Sequence, residues 1–427
     1  MIQLTASQQT AIDSILHEMG NPSKGGVISL VGGGGVGKTT SIFSLIGHLE
    51  NEQRKNVLIC APAHQACNVL RDTQVQFDNS TPVSTLASAL GFKQLPVDGK
   101  RAFKVAGGGK LEGVDVVVVD EASQVGSTAF RELQTQALKN NITIIGLGDD
   151  CQLPPVKEFS SPMFNNGRLF ELTEVIRYTG DVLKVATDLR THIKSGAKTS
   201  YDLRQHIPSG SSDITAYGSR EDFLAAAVSA VDYEDPTKTR IIAWRNSQVL
   251  EYNRHVHEAL HGANAPEYLV GDIVLPQNPV VRKNELLSST DNPCRVISFR
   301  PAKYDMLDLG KVILDVYVMG VVCLRTSNEF EIVTVAQHHQ SLYEQAIAEI
   351  ATMCRAGEVH WSEFYALEDE LTPIRHPYAS TAHKAQGGTF QYNFMDVPDI
   401  MRCRQQYIRD RLLYTALTRS NTLGILK

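Results

Sequence analysis

The stretch Gly26-Val-Ile-Ser-Leu-Val31-Gly32-Gly-Gly-Gly-Val-Gly37-Lys38-Thr39 joins an apolar run to a glycine-rich turn and the start of an amphipathic segment. Residues 32–39 fit G-x-x-x-x-G-K-[S/T] in full, between a predicted strand and a predicted helix, which is the expected setting of that pattern. Such glycines let backbone N–H groups face phosphate oxygens, and the helix N-terminus adds its positive dipole end. The stretch predicts a nucleotide phosphate site, against the simpler alternative of a glycine-rich turn with a surface lysine.

Within this loop, Lys38 is predicted to reach the β- and γ-phosphates, and the Thr39 hydroxyl is predicted to bind Mg²⁺. The predicted nucleotide-binding residues of the loop are Gly33, Gly34, Gly35, Val36, Gly37, Lys38, Thr39 and Thr40. A second motif, Val116-Val-Val-Val119-Asp120-Glu121, is an apolar strand that ends in two acids. We expect Asp120 to hold Mg²⁺ and Glu121 to orient the attacking water, which together with the loop predicts nucleoside triphosphate hydrolysis.

The surrounding pattern alternates short β-branched runs with amphipathic segments, which is typical of a doubly wound parallel sheet. Predicted strands lie at 26–31, 57–61, 114–119 and 142–147, and predicted helices at 38–49, 65–76 and 128–138. A second βα series begins near Leu169, with a strand at 240–244 and a helix at 247–260. The pattern returns near the end, with a helix at 404–417 and a strand at 422–426.

Two segments interrupt this alternation. Residues 87–113 carry an Asp-Gly turn signal between two mixed runs, which predicts an inserted β-hairpin. Residues 267–373 are strand-rich at first and are broken by several prolines, which predicts a small inserted barrel, followed by a helical segment at 337–356.

Composition limits the class of protein. The 427 residues are 42% hydrophobic and 21% charged, and no apolar run reaches the roughly 18 residues that a membrane span needs. Seven cysteines without a C-x-x-C pair argue against a disulfide framework and a zinc site. The N-terminal residues have no secretory pattern, so we expect a cytoplasmic protein that does not associate with membranes.

The net charge of -6 does not suggest a nucleic-acid binder, but the charge is unevenly distributed. Residues 341–371 carry seven acids against Arg355, whereas residues 375–427 carry eight basic residues against three acids. Residues 93–110 carry five basic residues against Asp98. The distribution therefore permits nucleic-acid binding without establishing it.

Further motifs narrow the class. They are Ala61-Pro-Ala-His64-Gln-Ala, Gly148-Asp-Asp150-Cys-Gln152-Leu-Pro-Pro155, Leu172-Thr-Glu-Val-Ile-Arg177, Val359-His-Trp361-Ser-Glu-Phe364, Ala379-Ser-Thr381-Ala-His383-Lys384-Ala-Gln386-Gly387 and Leu413-Tyr-Thr-Ala-Leu-Thr418-Arg419. This ordered set resembles superfamily 1 helicases, and in particular their RecD-like subgroup, over nearly the whole chain. The resemblance implies two RecA-like parallel-sheet domains, with a β-hairpin insertion in the first and an SH3-like β-barrel insertion in the second.

The resemblance also implies roles around the nucleotide. Gln8 is expected to read adenine, although an exposed helix residue would have the same sequence signal. Gln152 is expected to sense the γ-phosphate and couple it to bound DNA, with a polar turn residue as the alternative. Arg177 and Arg419 are expected to reach the γ-phosphate from the second domain, where a guanidinium fork suits phosphate oxygens.

The implied DNA contacts lie in the corresponding motifs. The expected DNA-binding residues are His64, Thr85, Phe103, Trp244, Thr381, His383 and Lys384. Trp244 is expected to stack on a base, or alternatively to be a core residue. Phe103 is expected to separate the strands, with Phe92 as the competing candidate.

The family pattern gives domain 1A at 1–168 with insertion 1B at 87–113, domain 2A at 169–266 and 374–427, and insertion 2B at 267–373. The implied activity is ATP-dependent 5′-to-3′ movement on single-stranded DNA, with ATP and Mg²⁺ as cofactors. The expected partners are single-stranded and fork DNA and a single-strand-binding protein, and we expect a monomer. A phage origin, with action in the host cytoplasm, also follows from the resemblance.

Three alternatives remain open at this stage. An RNA helicase of the same superfamily is one, since no pattern for reading a ribose 2′-OH is visible. A P-loop kinase of a small molecule is the second, although such enzymes rarely need this length. A DNA-binding scaffold with a vestigial site is the third, and the intact Lys38, Thr39, Asp120, Glu121 and Arg419 argue against it.

Overall fold

The computed structural model describes residues 4–20, 26–97, 100–174, 180–282, 285–306 and 312–427, with side chains outside the description at 94–97 and 100–103. The strands are β1 Val27–Gly32, β2 Val57–Ala61, β3 Val83–Thr85, β4 Phe92–Val97, β5 Lys100–Val105, β6 Val116–Val119, β7 Thr143–Gly148, β8 Gly167–Leu172, β9 Ile214–Tyr217, β10 Thr239–Ala243, β11 Ile273–Pro276, β12 Val280–Arg282, β13 Glu285–Ser288, β14 Cys294–Asp305, β15 Ile313–Cys323, β16 Glu329–Val335, β17 Ile374–Arg375, β18 Ala379–Thr381, β19 Tyr392–Asp396 and β20 Leu423–Leu426.

Helices follow most strands of the two parallel sheets, whereas the described residues of the segment from β11 to β16 form no α-helix between its strands. The helices are α1 Ala6–Met19, α2 Lys38–Asn51, α3 His64–Val75, α4 Leu86–Ala89, α5 Ser127–Asn140, α6 Gly180–Lys194, α7 Leu203–His206, α8 Arg220–Ser229, α9 Asn246–His261, α10 Gln340–Ala356, α11 Trp361–Glu370, α12 Ala382–Ala385, α13 Val397–Met401 and α14 Gln406–Leu417. No helix among the described residues is long and apolar enough to cross a lipid bilayer.

The first sheet has the order β3-β2-β6-β7-β1-β8, and all its pairings are parallel. Every residue of β1 and β6 is buried, because helices cover both faces, and this explains the continuous apolar runs in the sequence. Strands β6, β7 and β1 are neighbours, so the residues that follow them meet at one edge of the sheet. The prediction of a parallel sheet here is confirmed.

Strand β8 corrects one prediction. The sequence placed the start of the second βα series near Leu169, but β8 pairs in parallel with β1, from Gly167 opposite Val27 to Leu172 opposite Gly32. Most residues of β8 are exposed, so its sequence lacks the continuous apolar run that marks the central strands of the first sheet. It is an edge strand of the first sheet, so the change of sheet lies after Leu172 and not at residues 168–169.

The second sheet has the order β18-β10-β19-β20-β9 and is also entirely parallel. Helices α6 and α14 pack against it in a core that includes Leu189, Ile242 and Leu413. Cys151 and Leu153, which follow β7 of the first sheet, are part of the same core. The two parallel units therefore share buried apolar contacts directly beside the carboxyl edge of the first sheet.

An antiparallel sheet of order β16-β15-β14-β11-β17 lies between the two chain segments of the second unit. Its apolar faces pack in two clusters, one of them with helices α10 and α11. Strands β12 and β13 form a separate antiparallel pair. Strands β4 and β5 form another, from Phe92 opposite Val105 to Val97 opposite Lys100.

Candidate nucleotide and nucleic-acid site

The loop between β1 and α2 has the backbone that its glycines permit. Gly35 and Gly37 have φ values of 75° and 77°, in the left-handed region that favours glycine. Lys38 begins α2, and its Nζ donates to the carbonyl oxygens of Gly32 at 2.8 Å and Gly33 at 2.9 Å. Its ammonium group is therefore held over the loop. All eight predicted loop residues lie in this turn and the first turn of α2.

Gln8 lies against the same loop and is buried, at 2% exposure. Its amide nitrogen donates to the Val36 carbonyl oxygen at 3.3 Å, and its Oε1 accepts the Thr5 N–H at 2.9 Å. The Thr5 hydroxyl completes a capping box at the start of α1. Gln8 is therefore not an exposed helix residue, since it joins α1 to the phosphate loop.

Three carboxylates follow the neighbouring strands β6 and β7 and surround Lys38. Burial raises the pKa of Asp120, and burial and the charge of Asp120 raise the pKa of Glu121 to about 7, while the charges of Arg419 and Lys38 oppose that rise. Burial alone would raise the pKa of Asp149, but the charges of Arg190 and Lys38 hold it below its usual value. Burial therefore raises the pKa values of the two acids that follow β6, whereas cationic neighbours lower the pKa of Asp149.

Glu121 has a left-handed backbone, with φ at 51°, although it is not glycine. Its N–H donates to Asp120 Oδ1 at 2.9 Å. A non-glycine residue in this region carries a modest conformational cost, and such residues often occur at functional sites. The turn directs the Glu121 side chain towards the second unit, where Gly387 lies close enough that a Cβ would stand 3.8 Å from Glu121 Oε1.

Asp149 is the centre of a cluster that joins the two units. Its carboxylate accepts bonds from Arg190 and from the Tyr414 hydroxyl at 2.9 Å, both from helices of the second unit. It also accepts from the Gln152 amide at 3.3 Å. Arg190 further donates to Asp150 Oδ1 at 2.7 Å. We call Asp149, Gln152, Arg190 and Tyr414 the Asp149 cluster.

Arg190 and Tyr414 are absent from the sequence-based site. Tyr414 lies within the Leu413–Arg419 motif, and Arg190 follows the buried apolar residues of α6. Neither residue was therefore marked by a sequence signal of its own. The two adjacent carboxylates in Gly148-Asp-Asp150 were the available signal, since buried carboxylates need cationic partners. A Cβ on Gly33 would lie 3.2 Å from the Tyr414 hydroxyl, which places the cluster directly against the phosphate loop.

Arg419 is buried at the end of α14, on the second-unit side of the edge. Its guanidinium donates to the carbonyl oxygens of Thr415 at 2.8 Å and Gly388 at 3.3 Å and to the Thr418 hydroxyl at 2.9 Å. These bonds fix its position opposite Glu121. Arg177, the other arginine predicted from sequence, lies outside the described residues, as does the side chain of Phe103.

Two predicted DNA-contacting threonines occupy equivalent places. Thr85 ends β3 and accepts the Ser88 N–H at 3.2 Å, and Thr381 ends β18 and accepts the Lys384 N–H at 3.3 Å. Each caps a short helix after the edge strand of its sheet. The structure thus repeats one local motif at the corresponding edge of each unit.

The remaining predicted contacts are distributed over the same region. His64 begins α3, His383 is exposed in α12, and Lys384 Nζ donates to Gln277 Oε1 at 3.4 Å. Trp244 is half-buried against the core of the second unit, and its backbone N–H donates to Asp399 Oδ2 at 2.8 Å. Trp244 therefore packs in part as a core residue, which was the alternative to base stacking, and part of its side chain is exposed to solvent.

Contacts also cross between the two parallel units and towards the antiparallel sheet. Gln386 donates to the Ser123 hydroxyl at 3.2 Å, three residues after Asp120. Asn68 of α3 donates to Asn292 at 2.8 Å, before β14. The motif that contains Thr381 and Lys384 is therefore in direct contact with the strand end that carries the acids.

Known protein families and one helicase resemble this chain in sequence. Residues 3–212 match the model of an AAA domain, and residues 376–426 match a UvrD-like helicase C-terminal domain. The chain is 24% identical to the ATP-dependent DNA helicase Dda of Enterobacteria phage T4 over 445 residues, which covers 97% of each protein.

Two solved structures share the fold. One shows two coordinating Pif1 helicases at forked double-stranded DNA, with a TM-score of 0.55 and 16% identity, covering 100% of this chain and 92% of that one. The other is a Bacteroides Pif1 helicase with ADP-AlF3 and single-stranded DNA, with a TM-score of 0.53, 17% identity and the same coverage. At these identities the likeness shows the fold, an α/β architecture with parallel sheets.

Proposed function

We propose, on the premise that the chain belongs to the superfamily 1 helicases, that it is an ATP-dependent DNA helicase that moves on single-stranded DNA. The observation that carries this proposal is the junction itself. A phosphate loop and two strand-end acids from the first unit face Arg419, Arg190 and Tyr414 from the second. ATP bound there contacts both units, so its hydrolysis changes how they are held together.

At this junction each residue has a distinct proposed task. Lys38 and the loop N–H groups bind the phosphates, and Glu121 orients the attacking water. Arg419 stabilises the charge that develops on the γ-phosphate, as arginines do in related phosphoryl transfers. Arg177 is proposed for the same task on the strength of the motif alone.

Mg²⁺ fits the residues that were predicted to hold it. Burial raises the pKa of both Asp120 and Glu121, and the charge of Asp120 raises that of Glu121 further, so a divalent cation would stabilise their ionised forms. Mg²⁺ prefers oxygen ligands and commonly binds one or two carboxylates together with substrate phosphates. We therefore propose Thr39 and Asp120 as its protein ligands when ATP is bound.

The proposed domains follow the sheets. Residues 1–172 form domain 1A, with the β4–β5 pair as insertion 1B within 87–113, and residues 173–266 and 374–427 form domain 2A. The antiparallel segment 267–373 is proposed as insertion 2B of SH3-like type. The RecD-like subgroup stays a prediction, because the relatives described above are the Dda helicase and two Pif1 helicase structures.

The proposed DNA path runs across the edge strands β3 and β18, past His64, Thr85, Trp244, Thr381 and Lys384. His383 is proposed as a further contact. Capping threonines and short helices can hold a phosphate backbone without reading sequence. Phe103 remains the proposed strand-separating residue, and movement from 5′ to 3′ remains the proposed polarity. Gln152 is proposed to couple this path to ATP, and its contact with Asp149 places it beside the nucleotide site.

ATP hydrolysis with different polynucleotides tests the proposal. We expect strong stimulation by single-stranded DNA, weak stimulation by duplex DNA, and loss of hydrolysis in Lys38→Ala. Lys139→Ala, an exposed lysine of α5, is the matched control and should behave as the unmodified protein. A 5′-tailed duplex should then be unwound and a 3′-tailed duplex should not.

Other outcomes of this assay distinguish the alternatives. Stimulation by single-stranded RNA above that by DNA would assign the chain to RNA, and hydrolysis indifferent to every polynucleotide would contradict helicase function. The latter result would favour a P-loop kinase and would direct the search to a small-molecule acceptor. Unwinding of only the 3′-tailed duplex would overturn the proposed polarity alone.

Gln8→Ala tests what the buried glutamine does. If Gln8 both reads adenine and supports the loop, the KM for ATP should rise about tenfold and the preference for ATP over GTP should fall, since the lost amide bonds are each worth about 1 kcal/mol. Gln9→Ala, an exposed neighbour on α1, should change neither value. An equal rise in KM for ATP and for GTP would contradict the reading of adenine by Gln8. Support of the phosphate loop would then be its remaining role.

A further inference from the structure

A cluster of two histidines and an aspartate lies away from the nucleotide site, where the second parallel unit meets the antiparallel sheet. His257 and His261 are four residues apart on α9 and so share one face of that helix. Asp272 directly precedes β11 and faces both. We call these three residues the His–Asp cluster, and their ligand atoms all lie within 4.8 Å of one another.

The two carboxylate oxygens are each directed to one histidine. Asp272 Oδ2 lies 3.9 Å from His257 Nδ1, and Asp272 Oδ1 lies 3.7 Å from His261 Nε2. Hydrogen bonds between such atoms are roughly 2.7–3.2 Å long, so these groups face one another without bonding. Tetrahedral zinc with bonds of roughly 2.0–2.1 Å separates its ligand atoms by about 3.3 Å. Both Asp272–histidine separations are close to that value, and no two ligand atoms of the cluster are more than 4.8 Å apart.

His257 is arranged as a metal ligand would be. Its Nε2 lies 2.9 Å from the Pro266 carbonyl oxygen, which can only accept, so Nε2 carries the hydrogen and Nδ1 carries the lone pair. That Nδ1 is buried and has no hydrogen-bond partner among the described residues. A backbone carbonyl that fixes the tautomer in this way is the usual outer partner of a metal-binding histidine.

Asp272 is also held in place, and His257 has a further packing contact. The Leu269 N–H donates to Asp272 Oδ2 at 2.8 Å, so the carboxylate is anchored by its own turn. His257 is stacked on His376 at 4.4 Å between ring centroids, and His376 Nε2 lies 3.0 Å from the Glu267 carbonyl oxygen. His261 is the accessible member, with 27% of its side chain exposed, and provides an entry path.

We propose that His257, His261 and Asp272 bind one divalent transition-metal ion, with Zn²⁺ as the best match, and that this ion braces the junction between α9 and the antiparallel sheet. Two imidazole nitrogens and one carboxylate oxygen are a common zinc ligand set, with water in the fourth position. Cysteine spacing alone argued against zinc in the sequence, but this site uses no cysteine. The orphaned Nδ1 of His257 is the observation that favours an ion over a plain hydrogen-bonded cluster.

The same residues form the pattern His257-Glu258-Ala-Leu-His261, which matches the H-E-x-x-H signature of metalloproteases. A hydrolytic site needs the glutamate beside the metal. Glu258 instead lies 3.8 Å from Arg254 on an exposed part of the helix, and it is not a member of the cluster. Glu258 therefore provides no general base for the ion, and the proposed role of the ion is to join α9 to the turn before β11.

Zinc binding by the full-length protein tests this inference independently of helicase activity. Protein stripped with a chelator and returned to Mg²⁺-containing buffer is titrated with Zn²⁺ against a chromophoric competitor. We expect one tight equivalent for the unmodified protein and for His255→Ala, an exposed histidine of the same helix. His261→Ala and Asp272→Asn should each weaken that affinity at least about a hundredfold.

Two further readouts keep the test decisive. Co²⁺ in place of Zn²⁺ should give the visible absorption of a four-coordinate ion, and Zn²⁺ should raise the thermal midpoint of the unmodified protein and His255→Ala but not of His261→Ala. Asp272→Asn retains an acceptor for the Leu269 N–H, so the turn should stay folded. Equal zinc binding by the unmodified protein, His261→Ala and Asp272→Asn would overturn the site, and so would no binding by the unmodified protein.

Discussion

Arg419→Ala is expected to lower the DNA-stimulated rate of ATP hydrolysis by about 10³–10⁵-fold, the range for arginines that stabilise a transferring phosphoryl group. Arg419 is buried, its guanidinium is fixed by three bonds to neighbouring groups, and its charge acts on Glu121 across the junction. Removing it takes away the second unit's charge at the point where charge develops. Single-turnover hydrolysis with saturating single-stranded DNA measures the effect on the chemical step.

Controls for this variant separate chemistry from folding. Arg402→Ala removes an exposed arginine from the same unit and should leave the rate unchanged. Single-stranded DNA binding by Arg419→Ala should persist, because its contacts are with its own helix end and with Gly388. A fall of less than about tenfold in a folded Arg419→Ala protein would contradict direct contact with the γ-phosphate, since that is far below the effect of such an arginine.

The first sheet could be predicted because its signals are local. The apolar runs of β1 and β6 are buried on both faces, and the glycines at 35 and 37 adopt the left-handed backbone that the loop requires. Parallel strands end at a common edge, so the sequence alone could bring Lys38 together with Asp120 and Glu121. Lys38 follows β1 and the two acids follow β6, and only β7 lies between these strands in the sheet.

The Asp149 cluster could not be predicted because its members are distant in the chain. Arg190 lies 41 residues from Asp149, and Tyr414 lies 265 residues away. Their contact depends on how α6 and α14 pack against the first unit, which no local pattern specifies. The predicted domain boundary at residues 168–169 was wrong for a related reason. The exposed edge strand β8 lacks the apolar run of a central strand, so its sequence does not show that it belongs to the first sheet.

The cluster also explains why the pKa of Asp149 is lowered while the pKa values of Asp120 and Glu121 are raised. Arg190 bonds directly to Asp149, whereas Asp120 and Glu121 have no arginine bonded to them among the described contacts. A buried ion pair contributes little net stability but is costly to break from one side, by about 3–5 kcal/mol. The Arg190–Asp149 pair therefore favours one relative position of the two units, beside the loop where ATP is proposed to bind.

Glu121→Gln is expected to reduce ATP hydrolysis by about 10²–10⁴-fold, the usual contribution of a positioned general base, while nucleotide binding is retained. Glutamine keeps the size and the hydrogen-bonding shape of the side chain but cannot accept the proton of the attacking water. The rate of hydrolysis and the Kd of a fluorescent ATP analogue together measure the change. Glu112→Gln, an exposed glutamate of the same unit, should alter neither.

The pKa of Glu121 adds a pH dependence with a definite sign. Burial and the charge of Asp120 raise it to about 7, so kcat/KM should fall as the pH decreases through about 7, because the base becomes protonated in the free enzyme. Arg419 opposes that rise, so the limb should move to higher pH in Arg419→Ala. In Glu121→Gln the residual activity should lack this limb. A limb that persists unchanged in Glu121→Gln would assign the titration, and the role of base, to another group.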